Sequence, residues 1–445
     1  MRLSPCLQRM QHCQQQVLQA DPTMYHLVNC QTLTIQSNSS FSFFVMESIL
    51  HQIANQQVWE EYLACRLKQG RLNWREFDEL DSFVEQKQYL PTISKLLDDG
   101  LSIPTKKLIN KSGSDKKRVV YTYTNEEVLV LKVIAFLLYK YDAIFASNCY
   151  AFRKNITAHD AIFKIQKAVK GKKLWAYKTD IHNYFNSLDI SLLLPMLSDI
   201  FSDDKSLYDF FEKMLTNKRV NVNGVITEEE SKGVMAGTPT ASFLANVYLM
   251  KVDKYFEEKG VIYARYSDDI IIFAPNETTL QEYKNTLFGF FNEYHLEINP
   301  KKEKTYTPDD GFEFLGFKCQ EDKIDISSST KAKIKGKIRR KAHALMRWRT
   351  KHNVSAEKAI KGFIKSINIR FYESDDPETL NWSRWFFPVI NQTEGLKEID
   401  HYIQQNIRYL TTGKHNKSNY RTKYSDIKRL GYRSLVNEFY NHKNT

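Results

Sequence analysis

Tyr266-Ser267-Asp268-Asp269 lies between two apolar runs, Val261-Ile262-Tyr263-Ala264 before it and Ile270-Ile271-Ile272-Phe273 after it. Such runs are strand material, and a short polar insert between them reads as a tight hairpin turn. The turn carries two adjacent carboxylates at the tip of a buried hairpin. Two anions against apolar surface are costly unless a cation meets them. An isolated Asp-Asp is most often a solvated turn, so the pair alone decides little. A third aspartate changes its meaning, because Asp180 ends a separate strand-like run that begins at Leu174. Neighbouring strands would bring Asp180, Asp268 and Asp269 together, with the main-chain carbonyl of Ile181 as a further oxygen. Hard divalent cations take oxygen ligands, which makes this a candidate site for two Mg²⁺, or for Mn²⁺.

The surrounding pattern supplies a frame for that turn. Residues 1–100 are mostly helical by pattern, and residues 103–123 read as short strands around the polar turn Asn110 to Asp115. Thr124-Asn125-Glu126-Glu127 predicts a capping box opening a helix to about Tyr141. A helical stretch covers 188–217, and the loop Gly233 to Thr240 feeds a helix reaching about Tyr255. A helix from Thr278 to Tyr294 and a small β element, Phe312 to Phe317, follow the hairpin. Strand, helix, helix, hairpin, helix, strand is a split βαβ layout, an α+β arrangement with an antiparallel sheet backed by helices. From about Asp325 the chain is helical and basic, with no acidic residue between Ile326 and Ala356.

The bulk properties narrow the class. The formal net charge of +12 favours a polyanionic partner. Aromatic residues among basic ones suit base stacking, although most serve as core. The six cysteines show no CxxC spacing, which argues against zinc and fits reduced thiols in a cytoplasm. Residues 1–20 are Gln-rich and lack an apolar core segment, so no secretory signal is expected. The longest apolar stretch, Val128 to Leu138, contains Lys132 and is too short for a bilayer.

The motifs in this order resemble a reverse transcriptase over about residues 103–318. Tyr266-Ser267-Asp268-Asp269 matches the family's YxDD box, and Asp180-Ile181-His182-Asn183-Tyr184-Phe185 its first carboxylate box. The resemblance implies Asp180, Asp268 and Asp269 as the catalytic carboxylates and Phe185 as the ring that excludes a ribose 2′-hydroxyl. Gly233-Val234-Met235-Ala236-Gly237-Thr238-Pro239 with Phe243-Leu244-Ala245-Asn246 is similar to the template-and-nucleotide loop, placing Ala236 and Gly237 beside the incoming nucleotide. This chain departs from that loop, with Met235 for Pro and Ala236 for Gln. Lys111 and Arg118 match the basic pair that grips the triphosphate, with Lys116 and Lys117 nearby. Lys304, in Glu303-Lys304-Thr305, matches a lysine near the leaving pyrophosphate. Phe314-Leu315-Gly316 resembles the primer-grip turn and Cys149-Tyr150-Ala151-Phe152-Arg153 the segment before the palm. The basic run would be a thumb helix on nucleic-acid phosphates, through Lys335, Arg339, Arg340, Arg347 and Arg349.

The implied architecture is a right-hand polymerase. A helical N-terminal extension covers 1–100, fingers and an RRM-like palm cover 101–320, and a helical basic thumb with a C-terminal extension covers 321–445. The implied activity is RNA-directed DNA synthesis from dNTPs on an RNA template, in the cytoplasm and without a membrane. Length and layout are similar to the defence-associated and abortive-infection reverse transcriptases. That membership would imply antiphage action, a structured non-coding RNA, a DNA product, and a homo-oligomer or second defence protein. Two alternatives stay open: a template-independent or protein-primed DNA polymerase, and a catalytically quiet RNA-binding scaffold.

Overall fold

The computed structural model describes residues 47–69, 74–110, 117–373, 381–414 and 421–444. Within them lie three sheets among helices. The first sheet holds β1 (Thr105–Asn110), β2 (Lys117–Thr122), β4 (Arg219–Val222) and β5 (Val225–Glu228), in the order β2-β1-β4-β5. The central sheet holds β3 (Trp175–Asp180), β6 (Tyr263–Tyr266), β7 (Asp269–Ala274) and β8 (Lys304–Tyr306), in the order β6-β7-β3-β8. The third, β11-β10-β9, is built from β9 (Phe312–Phe314), β10 (Phe317–Gln320) and β11 (Lys323–Ile326). All pairings in the central sheet are antiparallel, the split βαβ layout that the sequence predicts.

Local signals act where expected. Thr124 and Glu127 form a complete capping box on the helix Asn125–Leu137, which tightens into a 3₁₀ turn over Leu138–Ile144. Two expected helices are broken. The 188–217 stretch is two helices, Ile190–Ile200 and Lys205–Thr216. Asp204 caps the second by accepting from the Leu207 amide, and it also ties down Ser48 and the Ile49 amide. The helix after the 233–240 loop is likewise two, Ala241–Tyr248 and Met250–Glu258. The described part of residues 1–100 includes the helices Gln56–Lys68, Trp74–Glu85 and Tyr89–Asp99. Residues 1–46 of it, and Lys111 and Lys116 of the polar turn, lie outside the described residues.

The core explains why β7 is apolar from Ile270 to Ala274. Tyr177, Ile270 and Ile272 belong to a hydrophobic cluster shared with the N-terminal helices and the helices behind the sheet. Ala176, Ala264, Ile271 and Phe273 belong to a second cluster with the third sheet and the helices Ser328–Lys351, Ala356–Tyr372 and Glu394–Thr412. Successive strand residues point to opposite faces, so a sheet covered on both faces needs an unbroken apolar run. Each fully buried Ile contributes roughly 1.5–3 kcal/mol. No helix among the described residues is long and apolar enough to cross a membrane.

Candidate metal centre

Strand pairing assembles the carboxylates. β3 and β7 run antiparallel with Asp180 opposite Asp269. The Ile181 amide donates to the Asp268 carbonyl at 3.1 Å, tying the strand end to the turn. Asp180, Asp268 and Asp269 each offer a carboxylate oxygen, and these atoms lie within 4.8 Å of one another. Such a set of hard oxygen donors could hold a divalent cation. Ser267 adopts φ +63° in the turn. That conformation is uncommon for a residue with a Cβ, and it permits a two-residue hairpin loop.

The electrostatics match a site built for positive charge. Burial, then the Asp180 and Asp269 charges, push the Asp268 carboxyl from its ordinary 3.8 up to about 7. Two lysines partly offset the charge. Lys302 Nζ lies 2.7 Å from Asp180 Oδ1, and Lys178 Nζ lies 3.4 Å from Asp269 Oδ1. The sequence reading passed over Lys302 in favour of Lys304. Lys304 sits opposite Lys178 in the β3–β8 register, with its ammonium 4.6 Å from the Tyr306 ring centre.

The loop ahead of the site is clamped from two sides. Asn186 Oδ1 accepts from the Ala236 amide at 2.8 Å, and the Ala236 carbonyl accepts from the Tyr121 amide of β2 at 2.8 Å. The Val234 amide donates to the Phe185 carbonyl at 2.8 Å. A Cβ at Gly233 (φ +53°) would sit 2.4 Å from that carbonyl oxygen, so glycine is needed there. Met235 is fully buried with φ +58°, its sulfur accepting from Tyr123 Oη at 3.6 Å, while Gly237 is exposed and Ala236 half-buried. Phe185 is half-buried, its ring edge-on to Phe152 at 6.2 Å. Phe152 is 40% exposed and also has positive φ. Arg118 is exposed on β2.

The basic helix Ser328–Lys351 divides its charges between two faces. Lys331 and Lys335 both pair with Glu398 at 2.6 Å. Arg349 donates to the Leu410 and Thr411 carbonyls at 2.8 and 3.1 Å, closing the end of the helix Glu394–Thr412. Lys335 and Arg349 are therefore engaged within the chain, whereas Arg339, Arg340 and Arg347 face solvent.

Comparison with known proteins follows this geometry. Residues 109–319 match the family model for "Reverse transcriptase (RNA-dependent DNA polymerase)". The chain is 26% identical over 119 residues to a putative COX1/OXI3 intron 2 protein of Saccharomyces cerevisiae, covering 27% of this chain and 14% of that one. It is 27% identical over 160 residues to the retron Ec86 reverse transcriptase of Escherichia coli, covering 32% of this chain and 50% of that one. The match thus spans half or less of these relatives. A telomerase from Candida albicans, solved with a fragment of telomeric RNA, is similar at TM-score 0.40 and 12% identity, over 83% of this chain and 68% of that one.

Two outcomes follow. A raised carboxyl value means that the folded chain holds its proton more tightly than the unfolded chain, so this group's contribution to stability falls as pH rises from about 4 to about 7. Asp268→Asn should therefore raise the melting temperature of metal-free protein at pH 8, by about 1 °C per kcal/mol of repulsion relieved. Mg²⁺ should stabilise wild type and not the variant; a variant that melts lower without metal contradicts this. Gly233→Ala should lower stability in urea unfolding by about 2 kcal/mol or more, and an unchanged midpoint would show that the loop yields.

Proposed function

We propose that this chain, whose residues 109–319 carry a reverse transcriptase domain, is an RNA-directed DNA polymerase that adds dNTPs by a two-metal mechanism. The observation that carries this reading is the convergence of Asp180, Asp268 and Asp269 where the two central strands of the sheet, β3 and β7, meet the hairpin turn. Divalent cations bound there would supply the charge that acidifies a primer hydroxyl and neutralises a triphosphate. The chain's own residues do the rest. The Asp180 and Asp269 strands fix the carboxylates. The Phe185 ring, set against Phe152, closes the space a 2′-hydroxyl would need. Arg118 on the first sheet meets phosphate as a bidentate donor, together with Lys111. Lys304 is the proposed proton donor to pyrophosphate, and Lys302, the ammonium nearest Asp180, is its rival for that role.

In the same reading the first sheet is the fingers, the central sheet the palm, and the basic helix the thumb, with Arg339, Arg340 and Arg347 on nucleic-acid phosphates. The template is a structured non-coding RNA and the setting antiphage defence in the cytoplasm. A homo-oligomer or second defence protein completes it. One observation favours a second reading. Met235 is buried, and Ala236 brings no polar side chain to the loop. The loop therefore lacks an amide to address the templating pair, as template-independent or protein-primed synthesis would allow. Sequencing the product separates the two, because only templated synthesis yields DNA complementary to a bound RNA.

Asp268→Ala should cut dNTP incorporation by about 10³-fold while the far-ultraviolet circular dichroism stays unchanged; full incorporation would eliminate the mechanism. Phe185→Val should relax discrimination against ribonucleotides by about 10²-fold in single-nucleotide extension, and wild-type discrimination would reduce Phe185 to a packing residue.

A further inference from the structure

Beneath the Asp268-Asp269 turn lies a buried ionic cluster that the chemistry above does not use. Arg265 and Asp253 are both 0% exposed. Arg265 Nε donates to Asp253 Oδ1 at 2.8 Å, and Nη2 donates to Oδ2. Nη1 donates to Asn246 Oδ1 at 3.1 Å and to the Ser267 carbonyl at 3.2 Å, while Nη2 also reaches Cys149 Sγ at 3.1 Å. Tyr263 Oη donates to Asp253 Oδ1 at 2.9 Å, and Asn246 Nδ2 donates to the Ala151 carbonyl at 2.7 Å. The Arg265 main chain joins the same segment, its amide donating to Asn148 and its carbonyl accepting from Tyr150.

Stability does not explain the cluster, because an apolar pair of similar volume commonly serves a core as well as a buried ion pair. Its contacts do explain it. Ser267 holds a left-handed conformation that persists only where its surroundings over-determine it. The guanidinium fork can grip a carboxylate on one edge and a turn carbonyl on another, which an ammonium cannot do in one geometry. The Ile181 amide holds the Asp268 carbonyl, and Arg265 holds the Ser267 carbonyl. Through Asn246 the same group is linked to Ala151, the neighbour of Phe152.

We infer that Arg265, clamped by Asp253 and Asn246, is a positioning residue for the metal-binding turn: its hydrogen bond to the Ser267 carbonyl aims Asp268 and Asp269 and sets the turn relative to the Phe152–Phe185 wall. This rests on the metal-site reading above. It differs from a packing role in what its loss changes. Loosening the turn weakens metal binding and slows the chemical step, while the nucleotide pocket stays formed.

The test uses the full chain and two variants. The double variant Arg265→Met with Asp253→Leu removes both charges and leaves no lone buried ion, and Arg265→Lys keeps the charge without the fork. Mn²⁺ binding is read by the loss of the free-ion electron paramagnetic resonance signal, alongside kcat and the dNTP KM. Expected are a cooperative melt, Mn²⁺ affinity and kcat each reduced about 10–100-fold in the double variant, and a KM within about threefold of wild type. Arg265→Lys should fall in between. A folded double variant with wild-type Mn²⁺ affinity and kcat overturns the inference; if that variant does not fold, wild-type values in Arg265→Lys overturn it instead. Wild type that shows no Asp268-dependent Mn²⁺ binding overturns the metal-site reading itself, a result distinct from intact binding that the variants fail to disturb.

Discussion

The antiparallel register that sets Asp180 opposite Asp269 is the constraint on which the site depends. Side chains alternate between faces, so a slip of one residue would exchange the two faces of the whole strand. Here each face packs on its own core, Tyr177 and Ile272 into one and Ala176 and Phe273 into the other. A slipped strand would turn the charges of Lys178 and Asp180 into the apolar cluster where Tyr177 now packs, and would bring Tyr177 to the carboxylate face. The large cost of that exchange fixes the register. The turn then has only one place to put its two aspartates.

Around that register the chain concentrates strain and buried polarity near the site. Ser267, Asn183, Met235 and Phe152 all hold positive φ, and each lies in or beside a segment that carries a candidate site residue. Hydrogen bonds from neighbouring segments hold them: Arg265 at the Ser267 carbonyl, Asn186 at the Ala236 amide, Asn246 at the Ala151 carbonyl. Short motifs far apart in the sequence thereby become one rigid wall, the kind of supporting shell that a cation site and a nucleotide pocket both require.

Much of this was legible beforehand, for physical reasons that can be named. The hairpin showed because apolar runs flank a polar turn, and the helix after Thr124 because its capping box is local. Asp180 showed because it ends a strand-like run. What stayed hidden depends on distant partners. Lys302 meets Asp180 across 122 positions, and no local pattern distinguishes it from Lys304. Arg265 carries no local signal, since its partners sit on the broken helix pair at Asn246 and Asp253 and in the segment around Cys149. The basic run read as one solvent-facing or nucleic-acid-facing surface. Glu398 and the helix end at Leu410 claim part of it, and both lie more than sixty residues downstream.

The central claim is that three aspartates share one cation site. Crystals of the full chain grown with Mn²⁺ and a dNTP, measured at the manganese absorption edge, test it most directly. The account predicts an anomalous peak within ligand distance, roughly 2.0–2.2 Å, of carboxylate oxygens from both Asp180 and Asp268. A well-ordered site in which manganese binds elsewhere, with those two carboxylates bearing no metal, would contradict it.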